Sequence, residues 1–459
     1  MRVLLLNPPG ERVYIRDYFC SKTTKSNYLF HPIDLVMLSG SVAARHETRV
    51  LDCMAERLDP AAARGRIAGF DPDVIVSLVG SVSWEEDRVF LADQARRGRR
   101  VIAIGDVLQE RSSELLEREP WIEAALHVFT NRDVVHYLDG ELEEVREMTV
   151  RRGGRVERMS ARGKQHGSYR VPTPRHELFP RRGYHFSFAR SERFATVLSD
   201  YGCPWPCTFC VIGTLGFQTR PLDDVLDELD GLRARGVKEI FFADQTFGVR
   251  RERALELCAA MEQRGDLSWT AFTRPDTATD GRLAAMRRAG CHTLIMGVES
   301  ASDDALRAYR KGYLSADVRA AFGRVKRHGL RSVGTFIIGM PQDTPASLDA
   351  TLTLALELEL DFMSLNMAVP RFGTPFRARA LELGLAQRED LVMDQGGADA
   401  CLPTSTLDRA AVLAMKKRMV RRFYLRPGYL WKRLRSVRSV YEFKAQAREG
   451  LALLRRNAL

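Results

Sequence analysis

The sequence predicts an α/β protein of two successive units, a doubly wound parallel sheet over residues 1–150 and a partial (β/α)6 barrel over 191–400. A basic linker, 151–190, joins them, and a basic helical segment, 401–459, follows. Three observations carry this reading. The chain has 459 residues, more than one hydrophobic core usually supports. Short apolar runs alternate with helix-length stretches, the mark of buried parallel strands. One long segment without periodicity interrupts that alternation.

The N-terminal runs are Arg2–Leu6, Thr48–Asp52, Asp73–Ser77, Arg100–Ile104 and Ala124–Val128. Sheets of this kind bind ligands beyond the carboxyl ends of their strands. The loops of interest therefore begin at Asn7, Asp52, Leu78 and Gly105, and they contain Asn7-Pro8-Pro9-Gly10, Val79-Gly80-Ser81 and Gly105-Asp106. Residues 151–190 carry Gly153-Gly154, Pro172, Pro174 and Pro180, the composition of a linker. Alternation resumes with strands expected near 195–199, 238–243, 268–272, 292–298, 331–338 and 362–369. Six such β/α units suit a partial barrel. Beyond about residue 400 the chain reads as helical.

Composition places the chain among folded proteins, with 45% apolar and 28% charged residues. The apolar run Val3–Leu6 is too short for a signal peptide and no stretch reaches spanning length, so a cytoplasmic location is expected. The net charge of +11 is uneven. Residues 151–190 hold eleven Lys or Arg against two Glu, and residues 416–459 hold fourteen against two, leaving the remainder acidic. Such segments suit anionic partners, or merely solvated helices. No RNP, helix-turn-helix or zinc-finger pattern accompanies them, so nucleic acid is not the expected partner.

Eight cysteines without an export signal point to reduced thiols. Three of them cluster, in Cys203-Pro-Trp-Pro-Cys207-Thr-Phe-Cys210, at the end of the first barrel strand where barrel active sites form. Gly202, Pro204 and Pro206 forbid a regular helix there. Three thiolates can hold three irons of a cubane cluster and leave the fourth open. A structural zinc would want a further Cys/His pair, and none is apparent.

This Cys-x3-Cys-x2-Cys spacing, with aromatic Phe209 before the third cysteine, resembles the signature of the radical S-adenosylmethionine (SAM) superfamily. The resemblance implies that Cys203, Cys207 and Cys210 hold a 4Fe-4S cluster whose open iron binds SAM and whose electron cleaves it to a 5'-deoxyadenosyl radical. It extends through about residue 376. Phe241–Phe247 stands where the family meets the amino group of SAM, implicating Asp244, and Phe272–Asp276, with Arg274, follows the next strand. Gly297-Val-Glu-Ser300 resembles the ribose motif, implicating Glu299. Gly334-Thr-Phe-Ile-Ile-Gly-Met-Pro341 resembles the adenine-lining strand, implicating Gly334, Ile337 and Gly339. Taken singly, Arg274 and Lys311 read as ion-pair partners of Asp276 and Glu299, and the glycines as packing positions. Asn366, Met367, Arg371 and Phe372, after the sixth strand, are candidate pocket residues.

The order of doubly wound domain, linker and barrel resembles the cobalamin-dependent radical SAM enzymes. That resemblance implies a corrin held at the barrel mouth, with loops at Pro8, Asp52, Ser81 and Gly105 facing the ring and its tail. No Asp-x-His-x-x-Gly motif is present, so a histidine-ligated cobalt is not expected, and Asp106 beside Gly105 is unfavourable for a phosphate. The implied reaction is methylation of an unactivated carbon, with a reductant such as flavodoxin or ferredoxin. Two alternatives stand beside it: a cobalamin-free radical oxidation, cyclisation or rearrangement, and a non-catalytic iron-sulfur redox sensor that binds nucleic acid.

In the C-terminal segment Met419, Phe423 and Tyr424 share one helical face, while Leu430, Trp431 and Leu434 form another among arginines. These faces suit either packing onto the barrel or contact with an anionic membrane surface, the latter implying a lipid-like substrate.

Overall fold

The computed structural model describes all residues except 27, 160–164, 392, 398–401, 438 and 458–459. The expected boundary at 400/401 and Cys401 lie outside the described residues.

The first sheet comprises β1 (Arg2–Asn7), β2 (Glu47–Asp52), β3 (Val74–Leu78), β4 (Arg100–Ile104), β5 (Ala124–Leu126), β6 (Met148–Arg152) and β7 (Arg155–Met159). Its order is β2-β1-β3-β4-β5-β6-β7, parallel through β5 and antiparallel beyond. The first five strands follow the doubly wound order in which the chain reverses direction between β1 and β3, the usual ligand crevice. The central strands β3 and β4 are apolar on both faces because helices cover each side.

The interval 151–190 is less of a linker than its composition suggests. Gly153 and Gly154 both have positive φ and turn β6 into β7, so the sheet continues to Met159. β7 is a largely exposed edge strand, Arg-Val-Glu-Arg-Met, and so carries no burial signal in sequence. Gln165–Ser168 pairs parallel to Gly216–Thr219 in a small sheet beside the cysteine loop.

The second large sheet runs in chain order and is wholly parallel: β8 (Phe194–Val197), β9 (Glu239–Phe242), β10 (Ser268–Thr273), β11 (Cys291–Glu299), β12 (Arg331–Ile338) and β13 (Phe362–Met367). Helices between successive strands bury Val225, Leu257, Leu283, Val318 and Leu352 against its outer face. A second core is shared by the two units: Leu5, Val36 and Phe129 join Phe194, Tyr201, Phe241 and Val333. Its link is the loop after β1. Tyr18 stacks on Tyr201 with centroids 5.6 Å apart, and its hydroxyl accepts from the Gly202 amide at 2.6 Å.

The C-terminal helix Arg409–Tyr424 buries Met415, Met419 and Phe423, and the Tyr424 hydroxyl donates to the Met363 carbonyl at 2.6 Å. This face therefore packs on the barrel. Helices Pro427–Ser436 and Val440–Asn457 follow. No helix among the described residues is long and apolar enough to cross a membrane.

Candidate active site

The cysteine loop leaves β8 and is pinned by backbone. Gly202, at φ +77°, lies so close to the Gly216 carbonyl that a Cβ has no room. The Cys203 amide donates to Gly216 at 2.8 Å and the Cys210 amide to the Cys207 carbonyl at 3.1 Å. Cys207 is buried, and Cys203 and Cys210 are half-buried. Burial, and then the other two thiols, push Cys210 up to about 12. Burial also raises Cys203, so a cation is needed to hold Cys203 and Cys210 as thiolates. Among the described residues no three His, Cys, Asp or Glu side chains converge on a single ion position. Ligands of a cubane need not converge, since each takes a different iron.

Arg274 anchors this loop to the barrel. Its guanidinium pairs with Asp276 at 2.8 Å, lies 4.2 Å from the Trp205 ring centroid, and places Nη1 3.9 Å from Cys207 Sγ. It also donates to the Lys311 carbonyl. The ion pair with Asp276 and the approach to the cysteine loop therefore coexist. Phe209 packs edge-on against Tyr309 at 5.6 Å, with Lys311 Nζ 5.5 Å from its centroid.

One cavity of about 1200 Å³ opens at the carboxyl ends of the barrel strands. Phe209, Cys210, Glu299 and Ile337 line it, with Ala243, Gln245 and Phe272. Glu299 is re-aimed by a register shift in β11 and sits at φ +63°, an uncommon conformation for a non-glycine residue and one that gathers at functional sites. Its Oε1 lies 3.0 Å from Lys311 Nζ. Burial opposes the lysine's charge, but Glu299 overrides it and raises the Lys311 pKa.

Four expected SAM contacts do not line the cavity: Arg274, which holds the cysteine loop, and three that face elsewhere. Asp244 points away from the cavity between the lining residues Ala243 and Gln245. It accepts from the Ser199 amide at 2.7 Å and from the Ser199 hydroxyl, and burial with Asp200 raises its pKa to about 7. The strand's period of two decides this, so Gln245 is the polar residue offered to a ligand. Gly334 makes room for the Leu360 side chain, between the lining residues Val333 and Thr335. Gly339 turns the chain at φ +84°, and its amide is capped by Asp343 at 2.9 Å. Of the pocket candidates, Asn366, Met367 and Arg371 line the cavity, whereas Phe372 joins the core on the far face of the first sheet.

The expected corrin contacts come together at the switch point of the first sheet, but they are spent on protein. Asp52 caps the following turn, accepting from Met54 and Ala55 at 3.1 Å, and binds Asn7 at 2.9 Å and the Tyr184 hydroxyl at 2.8 Å. The Pro8 carbonyl accepts from Arg16, which is buried against Asp87 at 2.7 Å. A Cβ on Gly105 would meet the Val79 carbonyl, so this glycine serves loop packing. Ser81 donates through its amide (2.7 Å) and hydroxyl (2.9 Å) to Asp106. Asp106 also accepts from Ser21 and faces Arg371 Nη1 at 3.4 Å. None of the four lines the cavity.

The N-terminal unit instead meets the cavity through the loop after β1, by Arg12, Asp17, Tyr18, Cys20, Lys22 and Tyr28. Sequence reasoning pointed to the start of this loop, at Asn7–Gly10, but missed residues 12–28 because they have no periodicity and no motif. Its one signal is an aromatic and basic content unusual for an exposed connection. Among the described residues no histidine lines the cavity.

The radical SAM superfamily profile matches residues 199–355. Over 449 residues the chain is 30% identical to an uncharacterized methyltransferase, PH0819, of Pyrococcus horikoshii, covering 94% of each chain. Two solved structures share the fold. TsrM from Kitasatospora setae, a radical SAM methyltransferase solved with cobalamin and a [4Fe-4S] cluster, superposes with TM-score 0.66 at 18% identity, over 83% of this chain and 75% of that one. OxsB, a cobalamin-dependent SAM radical enzyme solved with aqua-cobalamin and SAM, gives 0.68 at 16% identity, over 99% and 72%.

Proposed function

The chain belongs to the radical SAM superfamily, and from that premise we propose that it is a cobalamin-dependent radical SAM methyltransferase acting on an unactivated carbon of a small or lipid-like substrate. The single observation that carries the proposal is the cavity that joins Cys210 and Glu299 in the barrel to the loop after β1 in the N-terminal unit. Its volume of about 1200 Å³ exceeds the 300–1,000 Å³ usual for one small ligand, which suits SAM beside a second group.

Cys203, Cys207 and Cys210 fit a 4Fe-4S cluster. Bound there, it supplies the electron that cleaves SAM, taken from a flavodoxin- or ferredoxin-like reductant. The rest is done by side chains of this chain. Glu299 offers a carboxylate to a ribose diol and is oriented by Lys311. Gln245 and Ile337 border the same space, and Phe209 shields the loop. Arg274 positions the cysteine loop and sets a positive charge beside Cys207. The apolar walls at Phe241, Phe272 and Val333 exclude water from a reactive carbon centre.

For cobalamin the fit is divided. Arg12, Lys22 and Tyr28 give the cavity a polar face on the N-terminal side, and among the described residues no histidine there would be at hand to hold a cobalt. When bound, cobalamin supplies the methyl group to be transferred. The crevice meant for its tail is filled by Ser21, Ser81, Asp106 and Arg371, and that closure favours a second reading, radical chemistry without cobalamin. Anaerobic reconstitution with iron, sulfide and hydroxocobalamin separates the two. A corrin spectrum that remains with the protein through gel filtration supports the first, and a full cluster with no retained corrin selects the second.

A further inference from the structure

Among the described residues ten large apolar side chains are exposed, and seven of them fall between 425 and 451: Leu425, Leu430, Trp431, Leu434, Val440, Phe443 and Leu451. Such a concentration on one part of a surface departs from the scattered apolar residues of ordinary proteins. Leu430, Trp431 and Leu434 stand 53%, 57% and 57% exposed on the helix Pro427–Ser436, and Val440, Phe443 and Leu451 follow on the helix Val440–Asn457.

The patch is set in positive charge. Residues 416–459 carry fourteen basic side chains against two acidic ones, and Lys417, Arg421, Arg422, Lys444, Arg448 and Arg455 are exposed. The Arg435 guanidinium lies 4.7 Å from the Trp431 ring centroid, so charge and aromatic surface meet directly. Both acids face inward: Glu442 is buried against Arg331, and burial raises Glu449 to about 7.

Leu425, Leu430, Leu434 and Phe443 also line the cavity, so the patch frames its mouth. From there an apolar strip runs past Leu413, Phe362 and Met363 to Phe241 and Phe272, flanked by Lys25, Asn366, Lys416 and Arg433. An apolar mouth in a basic rim, continuous with an apolar strip between basic side chains, is complementary to an amphiphile in an anionic bilayer.

We propose that helices Pro427–Ser436 and Val440–Asn457 dock the protein on an anionic lipid bilayer, from which the cavity takes up the apolar chain of its substrate. This rests on the reading of the cavity as the reaction chamber. The docking itself needs no cofactor. Each basic residue near such a surface adds to binding, and salt screens the contribution.

The test uses the reconstituted full chain with phosphatidylglycerol or phosphatidylcholine vesicles. Co-sedimentation is expected with the anionic vesicles only, and should fall as salt is raised. Leu430→Ser/Leu434→Ser/Phe443→Ser should lower it by more than about tenfold with iron content unchanged. Trp431 is the one exposed tryptophan among the described residues, so phosphatidylglycerol with brominated acyl chains should quench its emission, and Trp431→Phe should remove that component. A phospholipid with a photoactivatable group on its acyl chain should label peptides around Phe362–Met367 as well as the mouth. Equal binding to both lipids, binding indifferent to the triple substitution, or self-association through this face without vesicle binding overturns the docking. Label confined to the outer helix surfaces overturns chain entry. A chain that forms no cluster yet binds anionic vesicles as expected defeats the catalytic reading and leaves the docking standing.

Discussion

The parallel strands of the two large sheets in this chain end in opposite ways. At the carboxyl ends of the barrel strands lies an open cavity bordered by Cys210, Gln245, Glu299 and Arg371. At the switch point of the N-terminal sheet the same kind of strand ends are closed by buried networks, Asn7–Asp52–Tyr184 and Ser21–Ser81–Asp106. A carboxyl-end loop is therefore only a place where a ligand can bind. Whether it does depends on whether the polar groups there already have partners.

The sharpest form of this comparison is substitution on either side. Replacing Cys203, Cys207 or Cys210 with alanine should abolish SAM cleavage and reduce bound iron to background in a chain that still folds, checked by iron analysis and deoxyadenosine formation. The same replacement of Cys53, Cys258 or Cys291 should leave iron unchanged. Cys20, which reaches the same cavity from the loop after β1, is the stricter control. Loss of iron in Cys20→Ser would make it a fourth participant.

At the closed end Asp106→Ala should act on stability. It strands the donors of Ser21 and Ser81, at about 1–3 kcal/mol for each buried unsatisfied group, so the denaturation midpoint should drop clearly while iron per folded chain is retained. Glu299→Gln belongs to the open end. It keeps an acceptor for Lys311 but removes the charge offered to a ribose. SAM affinity should fall about ten- to hundredfold with the cluster intact, as isothermal titration would record. Were Asp106→Ala to weaken a bound corrin without destabilising the fold, or Glu299→Gln to unfold the chain without touching SAM, the distinction between the two ends would collapse.

Asp244 gives the comparison a pH dependence. Its folded pKa of about 7 lies above its unfolded value of 3.8, because burial and Asp200 disfavour the charge. The stability tied to its protonated form is complete below the unfolded value and is lost as pH rises through about 7. Asp244→Asn should therefore gain on the wild type in stability as pH rises through that value, measured by urea denaturation. The smallest effect expected is that of Tyr18→Phe. It deletes one hydrogen bond to Gly202 between the two units, worth about 1 kcal/mol, and should shift the melting temperature by about one degree.

Much of this arrangement was legible in the sequence, and the part that was not has a physical reason. Strands β1–β5 and β8–β13 lie within about two residues of their apolar runs; for the central ones this is because parallel strands buried on both faces have little room for a charge, whereas the edge strand β2 carries Glu47 and Arg49. The edge strand β7 was invisible for the converse reason. The cysteine loop was legible by spacing, and Glu299 by its place after the fourth strand. Asp244 was assigned to the wrong face of its strand end, since a motif fixes position along the chain and only the period of two fixes direction. Gly334 and Gly105 look like glycines sparing room for a cofactor, but they spare it for Leu360 and for the Val79 carbonyl. The two faces of the C-terminal helices were legible as faces. Only tertiary packing told that Met419 and Phe423 turn inward and Leu430 and Trp431 outward.

The central claim, a SAM-cleaving cluster on the loop Cys203–Cys210, is tested most directly by metal analysis and electron paramagnetic resonance of the anaerobically reconstituted, reduced chain, with and without SAM. The account predicts four irons and four sulfides per chain, as expected for a cubane cluster. Its signal should change on adding SAM, and both iron and signal should be lost in Cys210→Ala. A folded chain that takes up zinc instead of iron, or an iron signal indifferent to SAM, would contradict it.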